Sequence, residues 1–230
     1  MAEQGTIEWL KTRLGKWNGS EVGDLMGVPR TKSKLFTDTA MKLINKVRAE
    51  RHISWLTLDD DLEMEQYLKR SSIGQNAAMK WGIDHEADAA DAFVRNMKER
   101  GYDIELEHTG SVVHPEIPTF ASSPDRVYTW DGVKAIVEIK CPYNPARAFE
   151  AMTTVKDMES LKAWNSTYYW QVVAEMACTD ANTGDFVVYD PQAEEPIHIV
   201  RLDRDRDAEL QLINKILEAE RYIKEQEEQS

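Results

Sequence analysis

Two short stretches of the chain hold acidic and basic side chains of the kind that bind metal ions and phosphates. The first is Ser123-Pro124-Asp125, and the second is Glu138-Ile139-Lys140. Between them lies Asp131-Gly132, a dipeptide typical of a two-residue hairpin turn. Counted outward from such a turn, Asp125 lies opposite Glu138, at a Cβ separation of about 4.5–5.5 Å. Lys140 points to the same face, because it lies two residues beyond Glu138.

The two acids of this predicted hairpin would repel each other unless a cation lay between them. Mg²⁺ would remove the repulsion, because it takes oxygen ligands and is commonly held by one or two carboxylates. The alternative is an ordinary surface hairpin, since a chain with 41 acidic residues has accidental pairs. The mostly apolar run 133–139 favours burial of Glu138, and a buried acid needs a partner. The pattern by itself leaves both interpretations open.

Helical patterns dominate the first part of the chain. Residues 6–17 have the spacing of a short amphipathic helix, and Ser20 is predicted to cap the start of a second one. Further helices are expected over residues 37–51, over 58–68 and, most clearly, over 75–100, where Gly101 ends the helix.

Strand patterns follow over residues 104–108, 112–114, 120–128 and 134–140, and again over 186–189 and 197–201. Helices are expected at 146–155, 165–178 and 203–227. A mixed central β-sheet flanked by helices is an α/β (α+β) fold. We therefore expect a single domain over residues 1–230. It would have a helical part at about 1–72, a core at about 73–202 and a C-terminal helix at about 203–227.

Composition limits the class of protein. An apolar content of 42%, with seven Trp and eight Tyr, predicts a globular chain. No run approaches the roughly 18 apolar residues of a membrane span. The N-terminus lacks the charged-then-apolar pattern of a signal peptide. Cys141 and Cys178 are the only cysteines, which excludes a disulfide framework or a four-cysteine cluster and fits a reducing cytoplasm.

The net charge of the chain is negative, but its first 51 residues are net basic. The net charge of −13 argues on its own against a nucleic-acid partner. Residues 1–51, however, hold ten basic and six acidic side chains. A basic surface on an acidic body guides a polyanion to one place, although a solvated helix face is the alternative. The basic side chains of the segment 30–51 are Arg30, Lys32, Lys34, Lys42, Lys46, Arg48 and Arg51.

Two more polar side chains lie on predicted helices. Glu86 begins an apolar stripe that continues through Phe93 and Met97, so it is expected to point toward the core. It is either half of a buried ion pair with Arg or Lys, or a third carboxylate of the metal site. Gln171 lies on an aromatic-rich helix and by itself indicates only packing. No phosphate-binding glycine loop or nucleophile elbow occurs in the sequence.

Several short motifs together resemble those of a known family. Ser-Pro-Asp followed by Glu-Ile-Lys-Cys-Pro resembles the signature of the PD-(D/E)xK nuclease superfamily. Other motifs are similar to those of its viral recombinase branch, the phage lambda-type alkaline exonucleases. They occur in the family's order over about residues 9–191. These motifs are Arg13-Leu14-Gly15 with Gly19-Ser20-Glu21-Val22, Trp81-Gly82 with Glu86-Ala87-Asp88-Ala89, Tyr168-Tyr169-Trp170-Gln171-Val172, and Tyr189-Asp190-Pro191.

The resemblance implies a restriction-endonuclease-like core with a metal site. Asp125, Glu138 and the backbone carbonyl of Ile139 would hold Mg²⁺, or Mn²⁺ as a substitute. Glu86 would help to hold a second ion or its water. Lys140 would orient the attacking water or offset charge on the scissile phosphate.

The resemblance also implies roles for residues around that site. Gln171 would help to position the nucleophile or the lysine. Arg13, Ser20 and Ser123 would form a pocket for the 5′-phosphate of the DNA. Arg126 departs from the family, which often has glycine after the aspartate, and this places a bulky cation next to the site.

The activity implied by the resemblance is metal-dependent exonuclease action on linear double-stranded DNA. One strand would be degraded from 5′ to 3′ to mononucleotides, leaving 3′ single-stranded overhangs for single-strand-annealing recombination. A ring-shaped homotrimer, a single-strand annealing protein as partner, and the cytoplasm of a bacterial host of a phage or prophage are implied too. The alternatives are a restriction-like or structure-specific endonuclease with the same core, and a non-catalytic DNA-binding module.

Overall fold

The structure, a computed structural model, describes residues 6–31, 33–71 and 76–229. Predictions that involve Lys32, residue 75 or the first five residues therefore lie outside the described residues. The N-terminal part is mainly helical, as predicted. Its elements are α1 (Ile7–Arg13), β1 (Trp17–Asn18), a 3₁₀ helix (Val22–Met26), α2 (Asp38–Arg51), α3 (Trp55–Asp59) and α4 (Asp61–Ser71).

The rest of the described chain mixes strands and helices. The long helix α5 (Ala77–Glu99) leads into β2 (Val112–Val113), β3 (Phe120–Ser122), β4 (Arg126–Trp130) and β5 (Val133–Lys140). The remaining elements are α6 (Pro145–Thr154), α7 (Met158–Trp164), α8 (Ser166–Thr179), β6 (Thr183–Tyr189), β7 (Ile197–Asp203) and α9 (Arg206–Glu228).

The strands form two mixed sheets with helices packed against them, which confirms the predicted α/β class. The larger sheet has the order β4-β5-β6-β7, with β5 and β6 parallel and the outer pairs antiparallel. The smaller sheet has the order β1-β3-β2. The predicted strand 120–128 is two strands, one in each sheet, and the chain crosses between them at residues 123–125.

The hairpin between β4 and β5 forms in the predicted register. Asp131 and Gly132 have φ angles of 49° and 74°, the left-handed values that a type I′ turn needs at both central positions. Trp130 pairs with Val133, and Arg126 pairs with Val137. The continuation of this register places Asp125 beside Glu138 at the end of the sheet.

The strands of the larger sheet are covered on both faces, as the apolar run in β5 predicts. Ile136 and Phe186 belong to a core that includes α8 and α9. Ala135, Val137 and Ile139 belong to a second core that includes α5. Because side chains alternate along a strand, Glu138 faces the α8 side and its neighbours in β5 face the α5 side.

Three details of the predicted elements were wrong. The helix predicted at 6–17 ends at Arg13, because Gly15 takes a left-handed conformation and residue 17 enters β1. Ser20 is not a helix cap, since its hydroxyl accepts from Arg13 and the 3₁₀ helix has no side-chain cap. The strand predicted at 104–108 reduces to one bridge between Glu107 and Val127.

Candidate active site

Glu138, Lys140 and Gln171 are brought into contact where β5 meets α8. Glu138 is fully buried, and its Oε1 accepts hydrogen bonds from Lys140 Nζ and, at 2.6 Å, from Gln171 Nε2. The Gln171 carbonyl accepts from Lys140 at 3.4 Å. The Lys140 ammonium also lies 4.5 Å from the centre of the Tyr168 ring. Gln171 is therefore a member of a polar network, not only the packing residue that its helix indicates.

Asp125 lies at the crossing between the two sheets and is held against β5. Its carboxylate accepts a hydrogen bond from the backbone N–H of Ile139 at 2.7 Å, and the residue is buried. Burial, followed by the charge of Glu138, raises the pKa of Asp125 well above its ordinary value. The two acids thus approach as the hairpin register predicts.

Glu175 is a third buried acid that the sequence analysis did not single out as a site residue. It is fully buried one helical turn beyond Gln171, and its Oε1 accepts from Gln171 Nε2 at 3.0 Å. Burial and then the charge of Glu138 raise its pKa well above the ordinary value. The spacing of four residues on one helix face was a signal that could have found it.

Lys140 is the cation that contacts Glu138 within this group of buried acids. For Lys140, burial alone would lower the pKa, but Glu138 and Asp125 outweigh it and raise the pKa. Oε2 of Glu138 and Oε2 of Glu175 are buried and have no hydrogen-bond partner among the described residues. Buried acceptors without a donor are costly, so the donor set fits a hard divalent cation.

The acidic side chains of the site are too few to surround a metal ion completely. No group of three or more His, Cys, Asp or Glu side chains within residues 6–31, 33–71 and 76–229 has the arrangement to hold a metal ion. An ion held by Asp125 and Glu138 would therefore need backbone carbonyl and water oxygens to complete its shell, as Mg²⁺ commonly does. The carbonyl of Ile139 is the predicted backbone ligand.

Glu86 meets the same region from the α5 side of the sheet. Its Oε1 accepts from Arg126 Nη1 at 2.8 Å, and Arg126 also donates to the backbone carbonyl of Asp125. The Glu86 side chain is 31% exposed, whereas that of Arg126 is 10% exposed. Of the two interpretations of Glu86, the structure thus shows the ion pair.

The residues predicted to bind a 5′-phosphate lie beside this acidic group. Arg13 Nη2 donates to Ser20 Oγ at 3.0 Å, and its guanidinium stacks 4.4 Å from the Trp9 ring. Trp9 Nε1 in turn donates to Ser123 Oγ at 3.3 Å. All of them line a cavity of about 320 Å³ with Asp125, Glu138, Lys140, Gln171 and Glu175.

A second cavity reaches the acids from the other side. It has a volume of about 450 Å³ and is bordered by Glu86, Asp125, Lys140 and the exposed apolar side chains of Met79 and Ile83. A larger cavity of about 550 Å³ is lined by residues of α5 and the far end of the sheet and by none of the predicted site residues. Size alone therefore does not identify the site; the convergence of buried charges does.

Glycines allow α8 to lie close to the strands. A Cβ on Gly184 of β6 would lie 2.7 Å from Ile136 Cγ1 and 2.8 Å from Met176 Cε. A Cβ on Gly19 would lie 3.3 Å from the Cβ of Ala174 in α8. Because α8 supplies Gln171 and Glu175, the contacts with Glu138 depend on this close packing.

A protein-family comparison supplies the deciding observation for the family. Residues 8–182 match the model of the YqaJ-like viral recombinase domain. The chain belongs to this family. The predicted viral recombinase branch is thereby confirmed, and the matched range contains every predicted site residue.

Solved structures share the fold of this viral recombinase chain. An alkaline exonuclease (LHK-Exo) from Laribacter hongkongensis is 23% identical with a TM-score of 0.69, covering 97% of both chains. The same exonuclease in complex with dAMP gives a TM-score of 0.70 at equal identity and coverage. A phage-related exonuclease from Haemophilus somnus is 17% identical with a TM-score of 0.63, covering 94% of this chain and 96% of its own. A comparison with curated protein sequences gives no match.

Proposed function

We propose that this chain is a metal-dependent exonuclease that degrades one strand of linear double-stranded DNA from 5′ to 3′. It would release mononucleotides and leave 3′ overhangs for single-strand-annealing recombination. One observation supports the proposal most strongly: Asp125, Glu138 and Lys140 converge on a cavity that is also lined by Arg13, Ser20 and Ser123. The family membership and the shared fold with known exonucleases agree with it.

The proposed reaction is hydrolysis of a phosphodiester. Water adds to phosphorus, the bond to the 3′ oxygen breaks, and the leaving oxygen takes a proton from solvent. A divalent ion bound by Asp125 and Glu138 would lower the pKa of the attacking water and offset phosphate charge. Lys140 remains protonated, so it acts as a positive charge and hydrogen-bond donor toward the phosphate and not as a base. Gln171 holds Lys140 and Glu138 in their relative positions.

The polarity of degradation would come from the neighbouring pocket. Arg13, Ser20 and Ser123 offer a guanidinium and two hydroxyls in the same cavity as the acids. An arginine and hydroxyl groups suit a terminal phosphate dianion. A 5′-phosphate held there would place the adjacent phosphodiester next to Lys140.

Mg²⁺ is the proposed ion, with Mn²⁺ as a substitute. Asp125, Glu138 and the carbonyl of Ile139 would bind it, in agreement with the orphaned Glu138 oxygen. The second ion that the resemblance implies would need Glu86, whose carboxylate is bound to Arg126 in the structure.

The assembly and partners are proposed from the resemblance. They comprise one nuclease domain, a homotrimeric ring around DNA, a single-strand annealing protein and a location in the host cytoplasm. The exposed side chains of Trp55, Leu56 and Leu62 offer apolar surface for a subunit contact. Among the described residues of the segment 30–51, Lys34, Lys46 and Arg51 pair with acids of the chain, so Arg30, Lys42 and Arg48 would contact DNA. A mass of roughly three chains in light scattering would support the ring.

None of the described helices is both long and apolar enough to cross a membrane. The central experiment compares linear duplexes with 5′-phosphate or 5′-hydroxyl ends, with Mg²⁺ and with EDTA. We expect faster loss of the phosphorylated duplex and no cleavage in EDTA.

The controls separate the proposal from its alternatives. Covalently closed plasmid should stay intact, because it has no end, whereas a restriction-like endonuclease would cut it. A non-catalytic DNA-binding module would cleave neither substrate. Equal rates on both linear duplexes would reject the pocket of Arg13, Ser20 and Ser123 but not the nuclease. Cleavage in EDTA would reject the metal-dependent mechanism.

A further inference from the structure

The ion pair between the buried Arg126 and the partly exposed Glu86 lies at the edge of the candidate active site. We propose that the Arg126 guanidinium occupies the place of a second metal ion, so that the chain binds a single divalent ion per site. This inference rests on the proposed function, because it concerns the ion that Asp125 and Glu138 would hold. It differs from the two ions that the family resemblance implies.

Glu86 and Glu138 approach the larger sheet from opposite faces. In the hairpin register Arg126 lies opposite Val137, whose side chain packs into the core on the α5 side. Glu86 is a residue of α5, so Arg126 and Glu86 meet on that side. Glu138 faces α8 instead, where Gln171 binds it. Glu86 is thus held away from Glu138 by a residue next to Asp125.

Arg126 is well fixed in this position. Its Nη1 donates both to Glu86 Oε1 and to the carbonyl of Asp125, and its side chain is only 10% exposed. A guanidinium stays charged at any pH at which a protein folds. A divalent ion on Glu86 would therefore have to displace Arg126 or sit beside a buried positive charge, which Coulomb repulsion opposes.

The charges of the two sides agree with one ion. On the α8 side, the carboxylates of Asp125, Glu138 and Glu175 outnumber the cations of Lys140 and Arg13 by one negative charge when all are ionised. A single divalent cation is enough to offset that charge, and a second would leave the cavity with an excess of positive charge. On the α5 side, the pair of Glu86 and Arg126 is already neutral, so it offers a second cation nothing to balance.

The test counts bound Mn²⁺ in the full chain without DNA, by the loss of the free-ion signal in electron paramagnetic resonance. We expect about one ion per chain in the native protein and in Arg126→Lys, which keeps the charge. Arg126→Met frees Glu86 from its cation and should bind about two ions. The double variant Arg126→Met with Glu86→Gln should return to about one ion, because the freed carboxylate is gone.

A second variant keeps the inference testable even if Arg126→Met does not fold. Glu86→Gln in the otherwise native chain should leave the Mn²⁺ count unchanged, since Glu86 is not a ligand. Thermal unfolding of each variant, followed by circular dichroism, shows which chains are folded.

Each remaining outcome has a definite meaning. A native count of about two that falls to about one in Glu86→Gln would overturn the inference and leave the proposed nuclease intact. An unchanged count of about one in folded Arg126→Met would overturn it too, because the guanidinium would then not be what excludes the second ion. Absence of any bound Mn²⁺ in the native chain would reject the proposed function along with the inference.

Discussion

The buried acids of the candidate active site and the partly buried Glu220 on α9 have opposite surroundings. In the active site, Glu138 and Glu175 each have a buried carboxylate oxygen without a partner among the described residues. On α9, Glu220 accepts from Arg51 at 2.7 and 2.9 Å through both oxygens, and from Trp17 Nε1 at 2.7 Å. Both groups link distant parts of the chain, but only the second is satisfied by the protein itself.

The pKa values of Glu175 and Glu220 are shifted in opposite directions, in agreement with these different surroundings. Burial raises the pKa of Glu175, and no cation reverses it. Burial would raise the pKa of Glu220 too, but hydrogen bonds from Arg51, Thr119 and Trp17 outweigh it and lower that pKa. The hydrogen bonds of Glu220 therefore stabilise the fold, whereas the unpaired buried oxygens of Glu138 and Glu175 cost stability, which the proposed metal ion would offset. Such a cost is expected of residues kept for function.

The largest expected effect comes from Glu138→Gln. We expect cleavage of linear DNA to fall by at least about a thousandfold, because the proposed metal ligand and its charge are lost. Without metal, the variant should be less stable than the native chain, since the buried Lys140 ammonium loses a carboxylate partner. Cleavage assays and urea unfolding in EDTA check both. Glu194→Gln, an exposed loop acid, is the control; near-native cleavage by Glu138→Gln would reject the assignment.

Glu220→Gln tests the satisfied group. Loss of its charge weakens the hydrogen bonds from Arg51 and Trp17, so the free energy of unfolding should fall by about 2 kcal/mol. Cleavage per folded molecule should not change. Glu228→Gln is the matched control on the same helix, where the exposed acid pairs with Lys224 at 3.9 Å and should matter little. Equal stability of both variants would erase the contrast between the two groups.

Glu175→Gln is expected to have a smaller effect of opposite sign. Without divalent ions the folded chain holds a proton on Glu175 more tightly than the unfolded chain, so native stability falls as pH rises above the ordinary value of 4.5. The variant lacks this loss and should be more stable at neutral pH by about 1 kcal/mol, with little difference at pH 4. Urea unfolding in EDTA across this pH range measures it, and a variant that is less stable at every pH would contradict the prediction.

The pH dependence of the Glu220 contribution is the smallest expected effect. Its pKa is lowered in the folded chain, so its contribution is complete above the ordinary value of 4.5 and is lost as pH falls through the folded value. The stability difference between the native chain and Glu220→Gln should therefore shrink by roughly half between pH 7 and pH 3.5. A difference that grows in acid would show that the lowered pKa is wrong.

The hairpin was predictable because it depends on local chemistry. Asp131 and Gly132 tolerate the left-handed conformation of the turn, and the turn alone determines which residues face each other. The strand predicted at 104–108 failed for the opposite reason: an extended conformation does not supply a partner strand, and only Glu107 pairs. Turn chemistry is visible in the sequence, but strand neighbours are not.

The contacts of the acidic residues on helices could not be predicted from the sequence either. The sequence suggested either an ion pair or a metal ligand for Glu86, but it did not name Arg126 as the partner, since that contact depends on how α5 lies on the sheet. The four-residue spacing between Gln171 and Glu175 was visible in the sequence, but the contact of Glu175 with the site depends on how α8 packs on β5, which the sequence does not show. Residues within one hairpin were therefore placed correctly, and contacts between elements needed the structure.

Gly184 has no functional group, yet it decides how far apart two functional elements lie. Any side chain at this position would meet Ile136 and Met176 and push α8 outward. Such a change would leave every catalytic side chain in the sequence while separating Gln171 and Glu175 from Glu138. Random mutagenesis followed by a screen for inactive variants should therefore recover substitutions of Gly184 as well as substitutions of the acidic residues.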